Sequence, residues 1–91
     1  MSRIARHIIV VGRVQGVFYR AWTKANAREL GLTGWVRNCA DGSVEALLEG
    51  EPDAIGLMVE RMRDGPLDAE VSHLREEPAE PSRALSFDIR R

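Results

Sequence analysis

The sequence predicts an α+β domain in which two helices cover one face of a mostly antiparallel sheet. Three observations support that expectation. Apolar runs and helix-period stripes follow one another as strand, helix, strand, strand, helix, strand, with one short strand behind. Turn residues separate these segments at short intervals, so 1–91 reads as one domain with no linker, repeat or low-complexity stretch. A chain of 91 residues with 44% apolar and 30% charged content suits one modest core.

The first element is the apolar stretch from Ile4 to Val11, read as a strand buried on both faces and hence central. Gly12 to Arg20, with sequence GRVQGVFYR, is a glycine-bearing loop that opens a helix from Ala21 to Leu30. Thr23, Ala27 and Leu30 lie on one side of that helix, and Gly31 stops it. Gly34 to Asn38 reads as the second strand and Cys39 to Ser43 as a turn, with Asp41-Gly42 as the hairpin signal. Val44 to Glu49 returns as the third strand and ends at Gly50. Pro52 suits the first turn of a second helix, whose stripe is Ile55, Met58, Val59 and Met62. Gly65-Pro66 ends it. Ala69 to Glu77 reads as the fourth strand, and the broken alternation at Val71 and Leu74 marks a bulge. After a loop over Pro78 to Ser82, Leu85, Phe87 and Ile89 alternate as a short last strand. This order is the split βαβ, or ferredoxin-like, plan.

The run from Gly12 to Arg20 carries the chemistry. The first N–H groups of a helix have no internal partner, and the helix dipole favours an anion there. Arg20 adds a planar fork of donors suited to phosphate or carboxylate. A positive side chain at the positive end of a helix is a misfit unless an anion sits between them. Gly16 leaves room for close approach of a phosphate, whereas Gly12 reads as a packing glycine. The local chemistry is that of a small oxyanion site for a phosphoryl group. Asn38 reads either as a turn opener or as a neutral amide that orients a water without repelling an anion.

Other chemistries find less support. His7 and His73 belong to no cluster with metal-ligand spacing, so neither metal nor cofactor is expected. Nothing beside Cys39 in sequence activates its thiol, and Trp22, Trp35, Met58 and Met62 read as packing residues. The carboxylates of Asp64, Asp68, Glu70, Glu76 and Glu77 read as solvated. A net charge of −1 gives no general attraction to nucleic acid or anionic membrane. The few aromatics lack the paired pattern of an RNA-binding sheet. No apolar run approaches the ~20 residues that span a bilayer. No signal-like stretch follows the basic N-terminal residues, and the lone Cys39 suits a reducing compartment. Cytoplasmic residence is therefore expected, with no membrane or nucleic-acid partner.

Taken together, the motifs resemble those of acylphosphatases. The resemblance rests on Gly12 to Arg20, Thr23, Ala27 and Leu30-Gly31-Leu32, then Gly34 to Asn38 with Asp41 to Val44. Gly50, Gly65-Pro66, Ala69, Val71, Phe87 and Ile89 extend it over nearly the whole chain. Tyr19 departs mildly, standing where phenylalanine is commoner. The resemblance implies a monomeric, metal-independent enzyme that hydrolyses the carboxyl–phosphate bond of small acyl phosphates. It implies that Arg20 binds the phosphoryl group together with Gln15, Gly16, Val17, Phe18 and Tyr19, and that Asn38 positions water. Two rival readings are a non-catalytic anion sensor of the same fold and an RNA-binding domain. The intact Arg20–Asn38 pair argues against the first, and the charge and aromatic pattern against the second.

Overall fold

The computed structural model describes residues 3–91. Strand β1 (Ile4–Arg13) leads through the glycine loop into α1 (Tyr19–Glu29). Strands β2 (Thr33–Asn38) and β3 (Val44–Gly50) form a hairpin, followed by α2 (Pro52–Asp64), β4 (Glu70–Ala79) and β5 (Phe87–Arg90). The strands make one sheet in the order β4-β1-β3-β2-β5. Every pairing is antiparallel except that of β2 with β5, which is parallel. The α+β, ferredoxin-like plan is the observed one.

The core forms where the period-2 faces of the strands meet the 3.6-period stripes of the helices. Ile8, Val10, Val36, Val44, Ala46 and Leu48 come from the sheet. Tyr19 and Ala27 come from α1, and Ile55, Met58, Val59 and Met62 from α2. Each large side chain fully withdrawn from water contributes about 1.5–3 kcal/mol.

β1 is not buried on both faces. The helices cover one face only, so His7 and Ile9 on the other are half-buried and Val11 is exposed. The centre of the sheet belongs to β3 instead. On its open side β3 buries Glu49, which alternation alone does not flag. The Glu49 carboxylate accepts the N–H groups of Ser82 at 2.9 Å and Arg83 at 3.0 Å, and the Ser82 hydroxyl. A buried carboxylate needs such partners, and these fasten the loop from which β5 departs.

The bulge expected near Val71 is present. Val11 pairs with His73 but Gly12 with Val71, leaving Ser72 as the extra residue. The Ser72 hydroxyl donates to the Val11 carbonyl at 3.0 Å. Gly12 has φ +135°, and a Cβ there would lie 2.2 Å from the Glu70 carbonyl oxygen, so it is a packing glycine. β4 runs past Glu77 through Pro78 to Ala79, which an edge strand tolerates. β5 begins only at the buried Phe87; Leu85 lies outside it, fully exposed.

Candidate active site

Helix α1 begins two residues before the Ala21 that its stripe suggests, at Tyr19. The Tyr19 side chain turns into the core, where burial pushes its phenol pKa well above the ordinary range. Phe18, just before the helix, has φ 62° and ψ 22°, in the left-handed region. That conformation costs a bulky residue about 1–2 kcal/mol, and the Phe18 ring stands 83% exposed. Gly16 also has a positive φ, +74°, with open space where a Cβ would stand. Left-handed residues in a short loop turn successive N–H groups toward one side, the geometry that cradles anions.

The first helical hydrogen bond runs from the Trp22 N–H to the Phe18 carbonyl at 3.0 Å. No side chain caps the helix, and no acidic residue lies in its first turn. The N–H groups of Tyr19, Arg20 and Ala21 have no partner among the described residues. The Arg20 guanidinium likewise has no hydrogen-bond or ion-pair partner among them.

These groups open into a pocket of about 310 Å³ lined by Val14, Gly16, Phe18, Tyr19, Arg20, Ala21, Asn38 and Ile89. It brings Arg20 and Asn38 together from separate elements. Of the residues expected at a phosphate, Gly16, Phe18, Tyr19 and Arg20 line it; Gln15 and Val17 do not. The Gln15 side chain instead reaches the β2–β3 turn. Its Nε2 donates to the carbonyls of Cys39 and Ser43, each at 2.8 Å.

That turn is closed by its own bonds. The Cys39 N–H donates to the Ser43 carbonyl at 2.8 Å, and the Gly42 N–H to the Cys39 carbonyl at 3.1 Å. Asp41 Oδ1 accepts the Ser43 N–H at 2.9 Å and its hydroxyl at 2.6 Å. The Ser43 bonds hold the Asp41 carboxyl below its usual pKa. Asn38 ends β2 at a position that alternates with the buried Gly34 and Val36. Its Oδ1 is shut off from solvent and has no partner among the described residues. A buried acceptor left alone costs about 1–3 kcal/mol. Thr23 Oγ1, in the core, is the other such atom among them.

Cys39 takes the opposite side of the strand, with its Sγ 3.9 Å from Glu45 Oε1. Glu45 accepts from Arg37 Nε at 2.5 Å and pairs with His7 Nε2. Burial works to raise the Glu45 pKa, but the bonds from His7 and Arg37 outweigh it and hold the carboxyl below its usual value. Trp35 packs on this open face rather than in the core, with Arg90 4.8 Å and Arg37 5.8 Å from its ring centre. His73 and the carboxylates of Asp64, Asp68, Glu70, Glu76 and Glu77 are exposed. Among the described residues no group of three or more His, Cys, Asp or Glu side chains is placed to hold a metal ion.

Val14, Ala21 and Ile89 line the pocket although the sequence reading did not assign them to the site, and Ile89 is the one far from it in sequence. Parallel pairing of β5 with β2 sets it opposite Val36, near the end of the strand that carries Asn38. Its only sequence signal is the alternation with Phe87.

Fold and site together define a small α+β protein with a pocket at the uncapped start of a helix. The acylphosphatase family profile matches residues 6–89. An acylphosphatase of Alcanivorax borkumensis is 56% identical over 69 residues, which are 76% of this chain and 75% of that one. The structure of an acylphosphatase from Coxiella burnetii superposes with a TM-score of 0.93 at 39% identity, covering 97% of this chain and 93% of that one. The crystal structure of acylphosphatase from Bacillus subtilis gives 0.94 at 34% identity, with 97% and 99% covered. The chain belongs to the acylphosphatase family and is an enzyme of that class. None of the helices among the described residues is long and apolar enough to cross a membrane.

Proposed function

We propose that this pocket hydrolyses the carboxyl–phosphate bond of small acyl phosphates, giving carboxylate and inorganic phosphate, without a metal ion or organic cofactor. The observation that carries the reading is the meeting of Arg20, the uncapped start of α1 and Asn38 in one pocket. The N–H groups of Gly16, Phe18, Tyr19 and Arg20, with the Arg20 guanidinium, hold the phosphoryl oxygens. Negative charge on those oxygens is stabilised in the transition state by donors already in place. Arg20 is free for this task because no carboxylate among the described residues competes for it.

The amide of Asn38 turns about χ2, a soft torsion, and presents Oδ1 to a water in line with the leaving carboxylate. The water oxygen bonds to phosphorus as the bond from phosphorus to the acyl oxygen breaks. A neutral amide cannot take the proton, so a phosphoryl oxygen of the substrate accepts it. The departing carboxylate is a weak base, so positioning and charge stabilisation suffice. On this reading residues 1–91 act as a single monomeric domain in the cytoplasm, with a small-molecule substrate and no membrane or nucleic-acid partner.

Benzoyl phosphate hydrolysis in the presence of EDTA, with inorganic phosphate as inhibitor, tests this directly. Full turnover and competitive inhibition are expected. Loss of turnover that a divalent ion restores, or purely noncompetitive inhibition, contradicts it.

A further inference from the structure

Resting on that reading of Arg20 and Asn38, we propose that the side chain of Gln15 is a positioning residue. It sets Asn38 against the phosphate loop rather than binding phosphate itself. Asn38 is the last residue of β2, and beyond it Ala40, Asp41 and Gly42 form an exposed tip. The turn's other hydrogen bonds are internal to it or run from Cys39 Sγ to Glu45 of its own hairpin, so they fix its shape but not its place relative to α1. Among the described residues, the only hydrogen bonds between this turn and the loop before α1 come from Gln15. One amide spends both of its hydrogens, one on the Cys39 carbonyl and one on the Ser43 carbonyl, each at 2.8 Å. The Cys39 carbonyl begins one peptide beyond Asn38, so little slack separates the anchor from the amide it steadies.

The two catalytic groups ride on different elements, Arg20 on α1 and Asn38 on β2. A displacement of about 1 Å between such groups costs up to roughly 10²-fold in rate. Gln15 spans that gap, and its own main-chain N–H stays in the loop whatever its side chain becomes. Its side chain therefore governs turnover through Asn38 and leaves phosphate affinity to the loop and Arg20.

The test is a double-mutant cycle on the full chain, read by kcat with benzoyl phosphate and by the inhibition constant of inorganic phosphate. Gln15→Met keeps the length of the side chain and removes both donors. It lowers kcat roughly 10-fold in the parent but less than twofold in an Asn38→Ala background, with phosphate inhibition within about twofold throughout. If Gln15→Met lowers kcat equally in both backgrounds, or weakens phosphate inhibition in proportion, the positioning role is wrong. An unchanged kcat in the parent overturns it too. If Asn38→Ala alone leaves kcat intact, the fault lies in the mechanism assigned to Asn38. Gln15→Asn, which keeps the amide but shortens its reach, repeats the cycle in milder form if Gln15→Met does not fold.

Discussion

The hydroxyl of Tyr19 donates to the main-chain carbonyl of Met62 at 2.7 Å and so fastens the start of α1 to the end of α2. That carbonyl would ordinarily accept the N–H four residues on, but Pro66 stands there and has none. The Gly65 N–H is already spent on the Arg61 carbonyl at 2.8 Å. Tyr19 thus supplies the donor that Pro66 cannot, which accounts for tyrosine at a position where phenylalanine would fill the same space.

Tyr19→Phe should therefore cost stability and spare the site. A loss of about 1–2 kcal/mol is expected in denaturant unfolding, since the Met62 carbonyl loses a partner in a buried setting. Phosphate inhibition should not move, because the Tyr19 ring is buried in the core and the proposed phosphate contact is made by its main-chain N–H. A shifted inhibition constant with unchanged stability would place the ring in the pocket instead of the core.

Phe18 tests the strain in the loop. Asparagine adopts left-handed φ more readily than other non-glycine residues, whereas valine resists it. Phe18→Asn should unfold at or above the parental midpoint, and Phe18→Val should be less stable than Phe18→Asn by about 1–2 kcal/mol. Equal stabilities would mean that the φ of 62° at Phe18 carries no strain.

Glu45 gives a pH signature with a definite sign. Its pKa is lower in the folded chain than in the unfolded one, because the bonds from His7 and Arg37 outweigh burial. The unfolded state then binds the proton more tightly, so Glu45 stabilises the fold fully above the ordinary carboxylate pKa. That contribution fades as pH falls through the lower, folded value. Glu45→Gln should cost about 1 kcal/mol at pH 7, on the scale of a partly exposed ion pair. The gap to the parent should close below about pH 4 in thermal unfolding scans. A gap that widens on acidification would show the opposite linkage.

Cys39→Ser should keep turnover within a few-fold of the parent. The thiol faces Glu45 on the open side of the sheet, away from the pocket that Asn38 lines. Strong inactivation of a folded Cys39→Ser would call for a covalent role of sulfur.

Much of the fold was legible because local signals and tertiary needs agree. The stripe of Ile55, Met58, Val59 and Met62, the Asp41-Gly42 turn and the break at Val71 each encode their element directly. Gly12 to Arg20 and Asn38 pointed to one site through residue type and position, and the fold brings Gly16, Phe18, Tyr19, Arg20 and Asn38 to one pocket. What escaped depends on pairings that no local pattern records. Ile89 reaches the pocket only because β5 pairs parallel to β2. The place of the Gln15 side chain is set only when the turn carrying Cys39 and Ser43 folds against it. The burial of Glu49 depends on a loop over thirty residues away in sequence. The start of α1 was misplaced because a left-handed phenylalanine is a poor sequence marker for a helix boundary.

The central claim is a division of labour: Arg20 holds the phosphoryl group and Asn38 holds the water. Arg20→Gln should weaken phosphate inhibition and turnover together, because the guanidinium touches the anion in both ground and transition states. The most direct measurement is kcat for benzoyl phosphate beside the inhibition constant of inorganic phosphate in Asn38→Ala. The account predicts a fall in kcat of roughly 10²-fold or more with phosphate affinity nearly unchanged. Turnover near the parental rate in a folded Asn38→Ala would contradict it and reduce Asn38 to a residue of the turn.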